Sequence, residues 1–242
     1  MPAVPRSAPR FRAITDTLRM AILNGTLAEH DALPSERTIA EEHGVSRMTA
    51  RRALEALEAE GLAYSENRRG RFVSPQRLTY DVSRKVSFVA EAEATGLDLE
   101  IEPIDSATIR ADASLAAKME VEPGTPLYAY TRLFRSRGHA IFVEREVVIA
   151  GRFPDFLTHD LRQSTTRLLE QHYDTCAHIG DIVIRMRAMD GEEARLLALA
   201  PNHAGIELEQ VIRDDVGSAF CMGRQMWRGE LAQFSARAML GG

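Results

Sequence analysis

Cysteine is nearly missing from this chain: only Cys176 and Cys221 occur in 242 residues, and they form no CxxC pair. A disulfide framework or a cysteine-rich structural zinc site is therefore unsupported. No run of 18 or more apolar residues appears, which excludes a transmembrane helix, and the N-terminus lacks the apolar core of a secretory signal; the expected location is the cytoplasm, with no membrane partner. The seven histidines show no HxxxH or HExxH spacing, the arrangement that places two metal ligands on one helix face. Glu41-Glu42-His43 reads better as the solvated side of a helix than as a metal site. Neither a glycine-rich phosphate loop nor a GxSxG elbow is present. The expectation is a protein without a catalytic centre, cofactor or metal.

An excess of basic charge is missing too, since the formal net charge is −5. The balance is uneven along the chain. Residues 1–75 hold eleven arginines against ten acids, a balance of +1, which leaves −6 for the remainder. If the N-terminal part binds nucleic acid, its nonspecific affinity is modest and salt-dependent, and specificity must come from placed arginines and paired half-sites.

What is present is a pattern between Leu33 and Val73. Ile39, Ala40 and Val45 flank Gly44, and Ala50, Ala53, Leu54 and Leu57 recur at three- and four-residue steps, the period of an amphipathic helix. His43-Gly44-Val45 supplies a tight turn in which Gly44 can take positive φ, and Ser46 is an N-cap for the second helix. A helix over roughly Ser46–Glu60 would be about 22 Å long, enough to lie across a major groove. Arg47 and Arg51 stand one turn apart on its first turns, with Met48 and Thr49 nearby. A guanidinium can grip guanine O6 and N7 together, and a short threonine can approach a phosphate or a thymine methyl. Gly61 ends the periodic run, and Leu62-Ala63-Tyr64 and Arg71-Phe72-Val73 predict a short hairpin around Ser65–Gly70. Its tip carries Arg68 and Arg69, placed to follow phosphates or enter a minor groove. A lone arginine is most often ordinary surface charge. Three groups in order, at Arg37, Arg47–Arg52 and Arg68–Arg71, argue for DNA.

These residues resemble a known family. Pro34-Ser35-Glu36-Arg37, Gly44-Val45-Ser46-Arg47-Met48-Thr49, Arg51-Arg52-Ala53-Leu54, Leu57-Glu58-Ala59-Glu60-Gly61 and Arg69-Gly70-Arg71-Phe72-Val73 are similar to the winged helix-turn-helix of GntR-type bacterial transcription regulators. A first helix over Phe11–Asn24 also fits. The resemblance implies DNA contacts from Arg37, Arg47, Thr49 and Arg51, with Gly70 near the minor groove; Ser46, Arg52, Arg69 and Arg71 complete the expected surface. Arg71 departs from the threonine of many members and is expected to add a phosphate contact.

Ser74–Lys85 is polar and mixed in charge and divides two patterns; the expected layout is a tail over 1–10, a DNA-binding domain over 11–75, a linker over 76–86 and a second domain over 87–242. In that second domain a helix near Ser87–Thr95 precedes strand-like runs at Ile101–Arg110, Pro126–Arg137, Ala140–Ile149, Ile182–Ala188, Ile206–Arg213 and Ala219–Trp227. Helices intervene at Ala113–Met119, Ser164–His172 and Gly191–Leu197. Ser136–His139 and Asp214–Ser218 read as hairpin turns. The expected architecture is α+β, an antiparallel sheet with helices on one face.

This half resembles the UTRA effector-binding domain of the HutC branch of GntR regulators, whose fold is similar to chorismate lyase. The resemblance rests on Ser87-Phe88 with Gly96, Tyr130-Thr131-Arg132-Leu133, Gly138, Val143-Glu144-Arg145, Phe153-Pro154-Asp155, Asp160-Leu161, Ser164 with Leu168-Leu169, Glu192-Glu193-Ala194, and Arg228-Gly229-Glu230 with Phe234. It implies a small-molecule site at Ser87, Phe88, Arg132, Glu144 and Arg228, to which Arg135 is added. Independently, Arg132 and Arg228 fall in β-patterned stretches, where a buried guanidinium must be paired or bind an anion. Either Arg132 pairs with Glu144 across the hairpin and Arg228 faces water, or these arginines, with Arg135 and Arg145, take an anionic metabolite such as a sugar phosphate, organic acid, phosphonate or sulfonate.

The expectation is a homodimeric regulator, a repressor by resemblance, that binds a near-palindromic double-stranded DNA operator and is released or repositioned by its effector. Two other classes remain open at this point: an enzyme of the lyase-like fold fused to a DNA-binding module, and a GntR regulator with an all-helical metal-binding effector domain.

Overall fold

A computed structural model describes residues 10–66, 69–75, 78–83 and 87–237. The expected tail, apart from Arg10, and the wing-tip Arg68 lie outside the described residues. The chain divides into two compact units, one chiefly of residues up to Leu78 and the other chiefly of residues from Thr79 onward.

The first unit holds helices α1 (Arg10–Leu23), α2 (Glu36–His43) and α3 (Arg47–Ala59) and a hairpin of β1 (Ala63–Glu66) and β2 (Gly70–Val73). The helix starts follow from local chemistry. Ser35 Oγ accepts the Thr38 N–H, Ser46 Oγ accepts the Thr49 N–H, and each cap satisfies a donor that the first turn leaves without an intrahelical partner. Gly44 ends α2 in the left-handed region at φ 59°, where a Cβ would be strained. The apolar stripes of the three helices meet in one core of Ile14, Leu18, Leu33, Ile39, Ala50, Ala53, Leu54 and Leu57, closed by Ala63 and Val73 of the hairpin. Each large aliphatic in it contributes on the order of 1.5–3 kcal/mol of burial. The hairpin pairs Ala63 with Val73 through Glu66 with Gly70, and Ala32 adds a bridge to Phe72 on its far side.

The second unit is a six-stranded antiparallel sheet in the order β4-β5-β6-β9-β8-β7. Its strands are β4 (Glu100–Arg110), β5 (Pro126–Ser136), β6 (His139–Ile149), β7 (Ile179–Ala188), β8 (Ala204–Arg213) and β9 (Ala219–Arg228). Helices α4 (Phe88–Thr95), α5 (Ala113–Met119), α6 (Thr165–Tyr173) and α7 (Gly191–Leu196) join them. The α+β class stands, and the sheet rules out the all-helical alternative.

Three expectations need correction. The helices do not share one face. The Leu168 and Leu169 side chains of α6 pack with Tyr130, Val148 and Ile212, whereas Ala116 of α5 packs with Leu127, Val147 and Ile149, which alternate to the opposite side of the same strands. The cause is the sheet's two apolar faces. Second, the span read as a linker is not wholly irregular: β3 (Leu78–Asp81) pairs with β10 (Ala232–Ser235) in a small second sheet. Tyr80 anchors it, stacked at 6.3 Å on Trp227 and edge-on to Phe88 at 5.5 Å, a burial that a four-residue polar-flanked run does not advertise. Third, Phe156–Thr158 forms a 3-10 turn where no element was expected.

Candidate functional site

The first unit presents a groove of about 650 Å³ lined by Ser35, Glu36, Arg37, Arg47, Glu66, Arg69, Gly70 and Arg71 among others. Residues more than twenty apart in sequence are brought together because α2, the start of α3 and the hairpin pack on one core. Arg37 and Arg47 are exposed; Arg37 lies 3.4 Å from Glu41. Ser46 acts through its cap, and its hydroxyl also lies 2.9 Å from Thr49 Oγ1, which steadies the first turn of α3. Arg51 makes an i,i+4 pair with Glu55 at 2.8 Å. Arg52 turns back toward α1, its guanidinium 5.1 Å from the Phe11 ring centre. In the wing, Arg69 pairs with Glu66 and lies 5.6 Å over the Phe72 ring. Gly70 has φ +109° with open space where a Cβ would stand, so backbone conformation is what selects glycine here.

Arg71 differs from its neighbours. It is 18% exposed and bonded to Glu36 at 3.0 Å and Glu58 at 3.1 Å, so its charge is already countered from two sides. The expected phosphate contact does not match this arrangement, in which Arg71 ties α2, α3 and the wing together.

The second unit contains a narrow cavity of about 20 Å³ between the sheet and helices α4 and α6, lined by Ser87, Phe88, Arg132, Glu144, Glu146, Thr165, Thr166, Gln210 and Gln225 among others. Phe134, Phe142 and Trp227 occupy directly paired positions on three adjacent strands and stack at 4.1 and 3.9 Å; Phe134 and Phe142 line the cavity. Arg132 and Glu144 also face each other across β5 and β6. Arg132 Nε donates to Glu144 at 3.0 Å, Nη1 donates to the carbonyls of Leu161 and Gln163 at 2.9 and 2.7 Å, and Nη2 reaches Glu144, Glu146 and Thr165. One guanidinium thus holds two buried carboxylates. Burial, then the neighbouring Glu146 charge, pushes the Glu144 carboxyl up to about 7 against the pull of Arg132. The same burial, and then Glu146, raise the Tyr130 phenol and the Cys221 thiol well above their ordinary range. Gln210 is 3% exposed, and its Oε1 has no hydrogen-bond partner among the described residues.

Of the six expected effector residues, Ser87, Phe88, Arg132 and Glu144 come together here, whereas Arg135 and Arg228 do not. Arg135 lies beside Glu102 of β4 at 3.4 Å. Arg228 is fully buried rather than facing water, bonded to Glu230 at 2.9 Å, and strand alternation turns it away from the face that Gln225 presents. Arg145, counted toward an anion, is engaged by Asp190 and Glu192 on the opposite face. Glu146, Thr165, Thr166, Gln210 and Gln225 were not anticipated. For Glu146 the signal was there: two residues past Glu144 in a strand is the same face.

A helix-turn-helix with an arginine-lined wing, followed by an α+β domain with an enclosed polar cavity, defines the class of one-chain, ligand-responsive transcription regulators. Comparison with known proteins agrees. Residues 11–73 match the model of bacterial regulatory proteins, gntR family, and residues 94–233 match that of the UTRA domain. The chain is 27% identical over 233 residues to the HTH-type transcriptional repressor NagR of Bacillus subtilis, covering 93% of each protein. It is 29% identical over 163 residues to the histidine utilization repressor of Klebsiella aerogenes, covering 66% of this chain and 68% of that one. Its fold is similar to the crystal structure of PhnF from Mycobacterium smegmatis, with a TM-score of 0.67 at 23% identity over 94% of this chain and 100% of that one. The chain belongs to the GntR family, in the HutC branch that carries a UTRA domain, and is a transcriptional regulator rather than an enzyme. Regulators of this family bind DNA operators and small-molecule effectors. Among the described residues no helix is long and apolar enough to cross a membrane.

Proposed function

We propose that this protein is a cytoplasmic repressor that binds a near-palindromic operator as a homodimer through residues 11–75 and is released or repositioned when a small metabolite enters the cavity of the domain over 87–242. The observation that carries the DNA reading is the groove that brings Arg37, Arg47, Arg69 and Gly70 together at the N-terminal end of α3. Arg37, Arg47, Thr49 and Arg51 are assigned to the operator with Ser46 holding their helix, and Arg69 and Gly70 to its edge; Arg52 is assigned to phosphate. Repression follows the two repressors to which the chain is similar.

For the effector, the cavity has two chemically different ends. The first turns of α4 and α6 meet where Ser87 Oγ lies 2.8 Å from Ser164 Oγ, with Thr165, Thr166 and the Arg132 guanidinium beside them. The hydroxyls and the free helix N–H groups there suit an anionic group, while the Arg132 guanidinium is already engaged by Glu144 and Glu146. Glu144, Glu146 and Gln225 suit the hydroxyl or amino donors of the same ligand. A small anion bearing such donors fits both ends, and its entry must widen the cavity. In a thermal-shift screen of sugar phosphates, organic acids, phosphonates and sulfonates, a ligand at 100 times its Kd stabilises the folded state by about 2.7 kcal/mol. Operator selection from random duplexes followed by gel shift tests the DNA half: Arg47→Ala is expected to lose specific binding while keeping the wild-type circular dichroism. Retention of full specific affinity in that variant would refute the reading-head assignment.

A further inference from the structure

The first unit is poor in positive charge for a surface that meets a polyanion. Before Asp16 the chain carries Arg6, Arg10 and Arg12 and no acid, whereas residues 16–75 hold eight arginines against ten acids, a balance of −2. Attraction to DNA therefore depends on which cations are left uncountered. Arg19, Arg37, Arg51, Arg69 and Arg71 each pair with a carboxylate of this unit. Among the described residues Arg10, Arg12, Arg47 and Arg52 make no ion pair, and all four are exposed. Arg47 stands at the reading end of α3. The other three meet at one place: the Arg52 guanidinium lies 5.1 Å from the Phe11 ring centre, and Arg10 and Arg12 are the chain neighbours of Phe11 in the first turn of α1. Folding supplies no reason for cations there. The N-terminal end of a helix is its positive end, so an arginine in the first turn is unfavourable without an anionic partner, and the first turn of α1 contains no acid.

We propose that Arg10 and Arg12 join Arg52 in a clamp on the phosphate backbone of the duplex, beside the base pairs that α3 reads. The inference rests on the operator reading above and adds contacts that carry affinity without sequence preference. Arg52 follows Arg51 on the reading helix, so a duplex seated on the first turns of α3 comes within reach of Arg52 and, through Phe11, of the start of α1. The Phe11 ring steadies one face of the guanidinium. Its N–H groups have no acceptor among the described residues and are free to donate to phosphate oxygens. An uncountered cation breaks no ion pair when it meets phosphate, so its full charge goes into releasing counterions; Arg71 would first have to leave Glu36 and Glu58. Placement also favours a backbone over a single small anion. Residues two apart on a helix point about 200° from one another, so Arg10 and Arg12 stand on either side of Phe11, as a row of phosphates requires.

The test is the salt dependence of operator binding by the full chain. In the double variant Arg10→Ala, Arg12→Ala the slope of log affinity against log salt is expected to fall by about 2 per half-site, with the ratio of operator to scrambled-duplex affinity unchanged. Ethylation of individual operator phosphates is expected to weaken wild-type binding at positions where it no longer affects the variant. Arg10→Lys with Arg12→Lys keeps both charges and is expected to restore the wild-type slope. The alanine variant is expected to melt at or above the wild-type temperature, since two cations leave the positive end of α1; a lowered midpoint would give these arginines a structural role and overturn the clamp. An unchanged slope would overturn the clamp and leave the operator reading intact. A fall in the operator-to-scrambled ratio would place the two arginines on bases and overturn the phosphate assignment. Wild type that binds operator and scrambled duplex alike would overturn the operator reading itself.

Discussion

Replacing Glu144 by glutamine isolates the most unusual charge in the molecule. Glu144 is 4% exposed, accepts from Arg132 Nε at 3.0 Å and from Gln225 Nε2 at 2.7 Å, and shares its cation with Glu146. Its carboxyl is pushed up from 4.5 to about 7, first by burial and then by Glu146. Between those values the folded protein keeps a proton that the unfolded chain has released. The stability this proton supplies is therefore full below about pH 4.5 and is lost as pH rises through about 7. One such proton is worth about 1.4 kcal/mol per pH unit, so the loss across the window is about 2–4 kcal/mol. Glutamine has nearly the same shape and no proton to exchange. The stability of wild type relative to Glu144→Gln is expected to fall by that amount from pH 5 to 7 and to level off above pH 8. Urea unfolding followed by the fluorescence of Trp227, the single tryptophan, reports on this domain, because Trp227 is fully buried and stacked on Phe142, which lines the cavity. A difference that stays constant or grows with pH would show that the Arg132 pairing outweighs desolvation and would refute the reasoning.

Three further outcomes follow from the geometry. Arg52→Ala, which removes the cation assigned to phosphate, is expected to lower the slope of log affinity for operator DNA against log salt by about 1, whereas Arg71→Ala leaves it nearly unchanged because Glu36 and Glu58 already counter that charge; equal slopes in the two variants, measured by titration at several salt concentrations, would contradict this. Ser46→Ala removes the cap on Thr49 and should cost about 1 kcal/mol in thermal or denaturant unfolding, with operator affinity falling in step. Gly205→Ala would place a Cβ 2.6 Å from Met189 Cε and Met226 Sδ and 2.9 Å from the Trp227 carbonyl; the fixed backbone oxygen makes this an overpacking change of about 1–3 kcal/mol, and an unshifted unfolding midpoint would argue against it.

The reading of Leu33–Val73 carried over to the structure almost residue for residue because its signals are local. The caps at Ser35 and Ser46, the left-handed Gly44 and the three-four spacing of Ala50, Ala53, Leu54 and Leu57 each act within one or two turns. Most strands of the second domain were legible for the same reason. Strand β3 was not, since its identity depends on β10 more than 150 residues away and on Tyr80 finding Trp227.

By itself the sequence determined most of the elements, the order of the two domains, the family and the residue types at the reading helix, since periodicity, capping and turn chemistry are properties of neighbours along the chain. The tertiary structure alone decided which charges are engaged. Arg71 binds Glu36 and Glu58, Arg228 is buried beside Glu230, and Arg132 holds Glu144 together with Glu146. The physical reason is that a charge's partner, and hence its energy, depends on distance and dielectric between strands that only the folded chain brings together.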